Sequence, residues 1–215
     1  MLIKIADQPG NSSLGDQIFA LLSANDFEGE LKRIEFVGPQ IGSELRDQGG
    51  LGMLVALGMI LLYVAFRFQY KFALGALLAL IHDVVIVLGF FSFFSLDFDL
   101  SVLAAILAVI GYSLNDTIVV FDRIRENLNK YTRLNISETA NLSINETLSR
   151  TIITSLTTLL ALLSIYILGG EILKGFSFAM ILGVLIGTYS SIFVAAPVLK
   201  FFKVSYKTLE KKEEK

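Results

Sequence analysis

Five long apolar runs alternate with short polar or charged stretches along most of the chain: Leu51 to Phe66, Phe72 to Phe93, Leu100 to Phe121, Thr151 to Leu168 and Phe176 to Leu199. With short extension into its flanks, each reaches the roughly 20 residues that a helix needs to cross a bilayer core. The pattern ahead of these runs is different. Leu2 to Ala6 alternates like a strand, Ser12 or Ser13 caps a helix running through Leu22, and Leu31 to Val37 reads as a second strand that Gly38-Pro39 breaks. Ile41 to Asp47 then starts the helix that enters the membrane. A β-α-β piece of about 45 residues is small for a core of its own and packs on something else. The expected fold is an all-α membrane bundle of five transmembrane helices, preceded by a small, partial α+β extracytoplasmic domain. The corresponding organisation is an extracytoplasmic domain over 1–47, a membrane domain over 48–202 with a cytoplasmic loop over 122–150, and a charged cytoplasmic tail over 203–215.

Composition supports the membrane assignment, since 54% of the residues are hydrophobic and only 18% charged. A formal net charge of -2 gives no bulk basicity for nucleic acid. The lack of cysteine excludes disulfides and thiolate metal sites, and a single histidine leaves little support for zinc or haem. No cofactor is expected other than protons. The chain opens on a polar segment, not on a cleavable-signal pattern. Loop charges set the orientation. One side holds Arg67 and Lys71, then Arg123, Arg125, Lys130, Arg133 and Arg150, then Lys200 and the lysines of the tail, whereas Ser95 to Asp99 carries no base. By the positive-inside rule the basic side is cytoplasmic, with the C-terminus inside and the N-terminal domain outside.

Polar residues inside the apolar runs are the candidate functional groups. Asn115 and Asp116 interrupt the third run, and Asp116 lies seven residues inside Arg123, roughly 10 Å deep. Ionisable residues at such depth face other helices or water and mark relays or pathways. Tyr112, Ser113 and Arg123 share the face of Asp116. Two readings of Asp116 stay open: a neutral acid that bonds Asn115 or Tyr112 as structural glue, and a proton carrier. In the second, Arg150 is the switch. It cannot conveniently lose its own proton, so its approach favours proton release from the acid and its withdrawal favours uptake.

Arg150, Thr154, Thr157, Ala161 and Ser164 repeat at helical spacing as a stripe suited to close packing or to a wet crevice. Gly75, Ala79, His82, Ile86 and Gly89 form a similar face on the second run, with Asp83 beside His82 and roughly 18 Å from the Lys71 boundary. His82 and Asp83 read either as a structural hydrogen-bonded pair or as a secondary relay, with Asn115 a further candidate for that relay. Gly183 and Gly187 form a G-x-x-x-G pair for close helix packing. Asp97, Asp99 and Glu171 sit at the outer edge, where solvated residues are ordinary.

Six sequence words carry a family resemblance: VGPQIGSELR (Val37 to Arg46), YVAFRFQYKFALGALLALIHD (Tyr63 to Asp83), FDL (Phe98 to Leu100), GYSLNDTIVVFDRIREN (Gly111 to Asn127), LSRTIITSLTT (Leu148 to Thr158) and GTYSSIFVAAP (Gly187 to Pro197). Together they closely resemble the SecF family, the smaller half of the SecD/SecF protein-export membrane complex and a relative of the resistance-nodulation-division transporters. The resemblance implies a non-enzymatic subunit in the inner membrane of a prokaryote. It implies work with SecD and the SecYEG channel, drawing exported polypeptides outward with the proton-motive force. It further implies that Asp116 is the proton-carrying acid, that Arg150 is its partner, and that another acid comes from SecD. The family pattern has one more span and a longer first half of the outer domain ahead of the point where this chain opens. Other classes fit less well. An aspartyl protease built on Asp83 and Asp116 lacks a glycine pair before Asp116, and Arg150 would disturb a shared-proton dyad. A small-molecule proton antiporter needs a larger outer domain, while a purely structural scaffold for SecD is separated from a proton carrier only by experiment.

Overall fold

Charged or turn-forming residues punctuate the apolar runs, and helices fill the space between them. The computed structural model describes residues 14–24, 39–67 and 70–204. The helices are α1 (Leu14–Ser23), α2 (Pro39–Arg67), α3 (Tyr70–Phe93), α4 (Leu100–Lys130), α5 (Ile136–Leu168), α6 (Glu171–Ser190) and α7 (Ala196–Phe201), with a π-helical segment, Ser191–Ala195, between the last two. The chain divides into two units, Met1–Leu51 and Gly52–Lys215, and the packed core and the candidate site described below belong to the second. There is no strand among the described residues. The two strands expected over Leu2 to Ala6 and Leu31 to Val37 lie outside them, so the α+β character of the first segment does too.

Among the described residues, four helices are long and apolar enough to cross a membrane: Tyr70–Phe93, Leu100–Lys130, Ile136–Leu168 and the composite Glu171–Phe201. α2 carries a shorter apolar stretch, Gly49–Val64. Arg46 and Asp47 precede that stretch and Arg67 follows it, which limits its apolar length.

The segment 122–150, expected as a cytoplasmic loop, continues the helices of the spans. Residues 122–130 complete α4 and residues 136–150 begin α5, leaving a short turn between them. No glycine or proline interrupts 122–150, so nothing stops the helices at the membrane edge. Asn135 starts α5 with a reciprocal capping box: Glu138 N donates to Asn135 Oδ1 and Asn135 N donates to Glu138 Oε2, each at 3.0 Å. At the other end of the bundle Asp99 caps α4 by accepting from Val102 N at 3.0 Å. Gly170, at φ +76°, turns the chain from α5 into α6 in a backbone region that costs a side chain energy.

α3, α4 and α6 form the packed centre, with Phe72, Val87, Ile106, Ile110 and Phe121 almost fully buried. Phe72 and Phe121 meet edge to face at 5.3 Å between centroids. Leu and Phe side chains such as Leu78, Phe93, Leu156 and Leu185 project outward, as expected of helices that meet lipid. From α2, Val64 is buried, and Met53, Leu57 and Ile60 pack on the same core.

The π-helical segment has a local cause. Pro197 donates no N–H, and its ring would collide with the carbonyl four residues back, at Phe193. Widening the turn just before it avoids that collision and inserts one extra residue into the helix.

Candidate functional site

Close approach of α4 and α6 brings polar side chains together in the interior. A Cβ placed on Gly187 would come 2.9 Å from Ser113 Cβ, and one on Gly183 would meet Val109. The two glycines therefore lie directly against α4, and only hydrogen at those positions lets the backbones come so near. Ser113 is thereby held beside α6 and faces α3.

Asp83 of α3 is 0% exposed and is the hub of this layer. Ser113 Oγ donates to its Oδ2, Ser190 Oγ donates to the same oxygen at 2.8 Å, and His82 Nδ1 lies 3.0 Å from Oδ1. Three helices meet on one carboxyl. The spacing on the second run puts His82 on the packing face, but the structure turns α3 so that Phe72, Ala76, Ala79, Asp83, Val87 and Phe91 face inward and His82 stands at the margin.

A second polar chain runs on the other side of α4. Tyr112 OH donates to Ser155 Oγ of α5 at 3.3 Å, Ser155 Oγ and Thr188 Oγ1 of α6 are 2.7 Å apart, and Thr188 Oγ1 donates to Val184 O. The stripe Thr154, Thr157 and Ser164 does not form this contact. Those hydroxyls donate to the carbonyls of their own helix, at Arg150, Ile153 and Leu160 respectively. The buried face of α5 is instead Ser143, Thr147, Thr151, Ser155 and Leu162.

Asp116 lies one turn from Ser113 toward the charged end of α4. It is 3% exposed, and its Oδ2 has no hydrogen-bond partner among the described residues. Thr117 Oγ1 is likewise buried without a partner. Asn115, beside Asp116 in sequence, is exposed on the outer face and does not join this interior group. Arg150 is exposed and forms no ion pair with Asp116 among the described residues, though its charge acts on that carboxyl. Tyr112 meets Ser155 and Asn127 meets Ser143, so α4 and α5 run antiparallel in a fixed register. Those contacts set the Arg150 backbone about 2–6 Å nearer the charged end than Asp116. Side chains on a helix also lean toward its N-terminus, which for α5 is the charged end.

At that end the two helices are clamped. Arg123 donates to Glu146 and to Glu126, each at 2.6 Å, and Asn127 Nδ2 donates to Ser143 at 3.0 Å and to Glu146 at 2.6 Å. The bond that Arg123 donates to Glu146, followed by that to Glu126, raises the pKa of its guanidinium further above the ordinary range. The bond from Arg123, followed by that from Asn127, holds the Glu146 carboxyl below the usual carboxylate value. Arg67 of α2 pairs with Asp122 at 2.9 Å beside this cluster. No group of three or more metal-ligating side chains occurs among the described residues. Sequence reasoning does not find Ser155, Thr188 or Asn127. They are ordinary polar residues whose roles arise only when helices meet.

A polytopic membrane protein with carboxyls enclosed between its helices is the class that this architecture defines. The sequence profile for "Protein export membrane protein SecD/SecF, C-terminal" matches residues 17–205, and the chain belongs to that family. It is 59% identical over 179 residues to the protein translocase subunit SecF of Pseudomonas aeruginosa, covering 83% of this chain and 58% of the relative. It is 49% identical over 195 residues to the protein translocase subunit SecF of Rickettsia akari, covering 89% of this chain and 63% of the relative. The chain thus spans roughly three fifths of the length of the curated relatives it matches. Among solved structures it is similar to SecDF, a translocon-associated membrane protein, from Thermus thermophilus. That match has a TM-score of 0.81 and 46% identity, and covers 87% of this chain and 26% of the other. A structure of SecDF in the super-membrane-facing form matches with a TM-score of 0.76 and 45% identity, over 93% and 27% of the two chains.

Proposed function

We propose that this chain acts as a SecF-type subunit of the Sec protein translocase, coupling the proton-motive force to late-stage export of polypeptides. The observation that carries this reading is the Asp116 carboxyl: buried in a membrane span, with one oxygen unpartnered among the described residues and the charge of Arg150 acting on it. A buried oxygen without a donor is an energetic cost that structural packing alone does not require. It is a fitting place to accept a proton. The relatives' names support export as the process, and a SecD-type chain is the partner that such a subunit works with. SecYEG supplies the channel, and exported polypeptides are the cargo.

The positive-inside rule supports a cytoplasmic C-terminus, a fifth crossing by α2, and an extracytoplasmic segment ahead of it in the inner membrane. Protons driven by the membrane potential replace any cofactor. Each charge crossing brings about 2.3 kcal/mol per 100 mV, enough to bias two helix arrangements that differ by a few kcal/mol. Proton uptake by Asp116 weakens its attraction to Arg150, and return of the guanidinium favours release.

The decisive variant is Asp116→Asn in the complete export complex, reconstituted in energised vesicles. Assembly is expected to be intact, while proton conduction and the potential-dependent part of export are lost. Wild-type conduction together with wild-type energised export in that variant overturns the reading and leaves Asp116 a packing residue.

A further inference from the structure

The Asp83 hub is not used by the Asp116 reading. A carboxyl in the middle of a span is held by donors on three helices, and the bonds available to it are nearly complete for a carboxylate. Oδ2 receives both the Ser113 and the Ser190 hydroxyl, so its acceptor positions are taken. Oδ1 faces only the imidazole nitrogen His82 Nδ1, at 3.0 Å. Asp83 is fully buried, whereas 29% of the His82 side chain is exposed. With Nδ1 turned to the acid, Nε2 is the ring nitrogen left to meet the exterior.

We propose that His82 and Asp83 form a second proton-binding site, with His82 as the entry and the Ser113 and Ser190 hydroxyls as the parts that sense its occupancy. With a neutral imidazole the pair carries one negative charge. One proton added at His82 Nε2, with the Nδ1 proton passing to Asp83 Oδ1, brings the pair to zero and breaks no covalent bond except the N–H that is handed on. A net charge is thereby removed from the interior, and a carboxylic acid accepts less strongly from hydroxyls than a carboxylate does. Ser190 has another acceptor ready, since its Oγ also lies 3.2 Å from Gly187 O. It is also the residue immediately before the π-helical segment, so its release loosens the hold on the irregular part of that helix.

Other titratable groups near this layer are accounted for. Tyr112 and Asp116 of α4 and Tyr189 of α6 lie within two turns of Ser113 or Ser190, and none bonds to Asp83. Tyr112 bonds Ser155, and Tyr189 is exposed and stacks on Phe193 at 4.9 Å between centroids. His82 is therefore the one titratable neighbour in direct contact among the described residues.

The inference does not depend on Asp116 being the carrier, and a spectroscopic test separates the two. Infrared difference spectra between acid and neutral pH are recorded on the full chain, copurified with its membrane partners, as wild type, Asp116→Asn, Asp83→Asn, His82→Gln and Ser190→Ala. A titrating carboxylic acid carbonyl band is expected that survives Asp116→Asn and is lost in Asp83→Asn. Its frequency moves in His82→Gln and Ser190→Ala, because each removes a hydrogen bond from the group. A difference spectrum unchanged by Asp83→Asn overturns the proposal and makes Asp83 a fixed anchor. Should Asp83→Asn fail to fold, His82→Gln and Ser190→Ala keep the carboxyl and decide the question: a surviving band that neither substitution moves has the same overturning force.

Discussion

Replacing Gly183 by alanine tests the α4–α6 contact on which the polar layer depends. A Cβ at Gly183 would lie 2.8 Å from Val109 Cβ and nearer still to both Val109 methyls, in a place where Gly183 and Val109 are both buried. Carbon atoms rest at about 3.5–4.0 Å, so the two helices have to separate locally by about 1 Å. Overpacking of this kind costs about 1–3 kcal/mol, while exchanging a helical glycine for alanine returns up to about 1 kcal/mol of backbone entropy. The net expectation is a loss of about 1–2 kcal/mol. It is measured as the shift in reversible unfolding midpoint in mixed micelles. Moving the glycine to the facing helix, as Val109→Gly with Gly183→Ala, makes room for the new methyl group. The double-mutant cycle is expected to show a favourable coupling of at least about 1 kcal/mol. Wild-type stability of Gly183→Ala, or strict additivity in the cycle, would refute direct packing of Gly183 on Val109.

Acidification tests the clamp at the charged end. Glu146 has its carboxyl held below the ordinary value of 4.5, so the stability it contributes is present above that value and is lost as pH falls through its lower, folded-state value. Hydrogen exchange in residues 123–146 is expected to accelerate in that acid window, and Glu146→Gln should remove the pH dependence; protection that persists equally in wild type and variant at low pH contradicts the role. Pro197→Ala restores an N–H and removes the ring clash that widens the preceding turn. Spin labels beyond residue 197 are expected to report a rotation of about 100° relative to Ser190 as the extra residue is taken up, and unchanged label distances would show that the π-helical segment has another cause.

Burial of Asp116 was legible because an ionisable residue in an apolar run has few places to go other than the interior of a bundle. The glycine pair was legible for a similar reason, since i, i+4 glycines leave a flat face that another helix fills. The face of α5 was not legible. Arg150, Thr154, Thr157, Ala161 and Ser164 make one small-residue stripe, and Ser143, Thr147, Thr151 and Ser155 make another, displaced by one position along the helix. One position is about 100° of rotation, and both stripes have small or hydroxyl side chains at helical spacing. Only the partner decides between them: Tyr112 and Thr188 both meet Ser155. The donors to Asp83 are hidden in the same way, because Ser113 and Ser190 lie 30 and 107 residues from it along the chain. The extent of α4 and α5 beyond the membrane edge is the converse case. The apolar runs stop near Phe121 and Thr151, but helical propensity and the Asn135 cap continue the helices through charged sequence.

The fixed register of α4 and α5 also limits how Arg150 reaches Asp116. Tyr112–Ser155 pins the hairpin on one side of Asp116, while Asn127–Ser143 and Arg123–Glu146 pin it on the other. Sliding α5 by one turn toward α4's uncharged end would break all three contacts and would leave the Asn127 amide and the Glu146 carboxylate without these partners. The individual bonds are each worth about 1 kcal/mol or somewhat more when charged, so the slide is opposed by several kcal/mol before packing is counted. A change of Arg150 rotamer breaks none of them. Its long apolar stem can lie along the α4 surface while the guanidinium covers the about 2–6 Å between its backbone level and Asp116. The switch proposed above therefore needs only a side-chain swing within the α4–α5 hairpin, whereas α6 is held to its neighbours by glycine contacts and hydroxyls, with no inter-helix ion pair among the described residues.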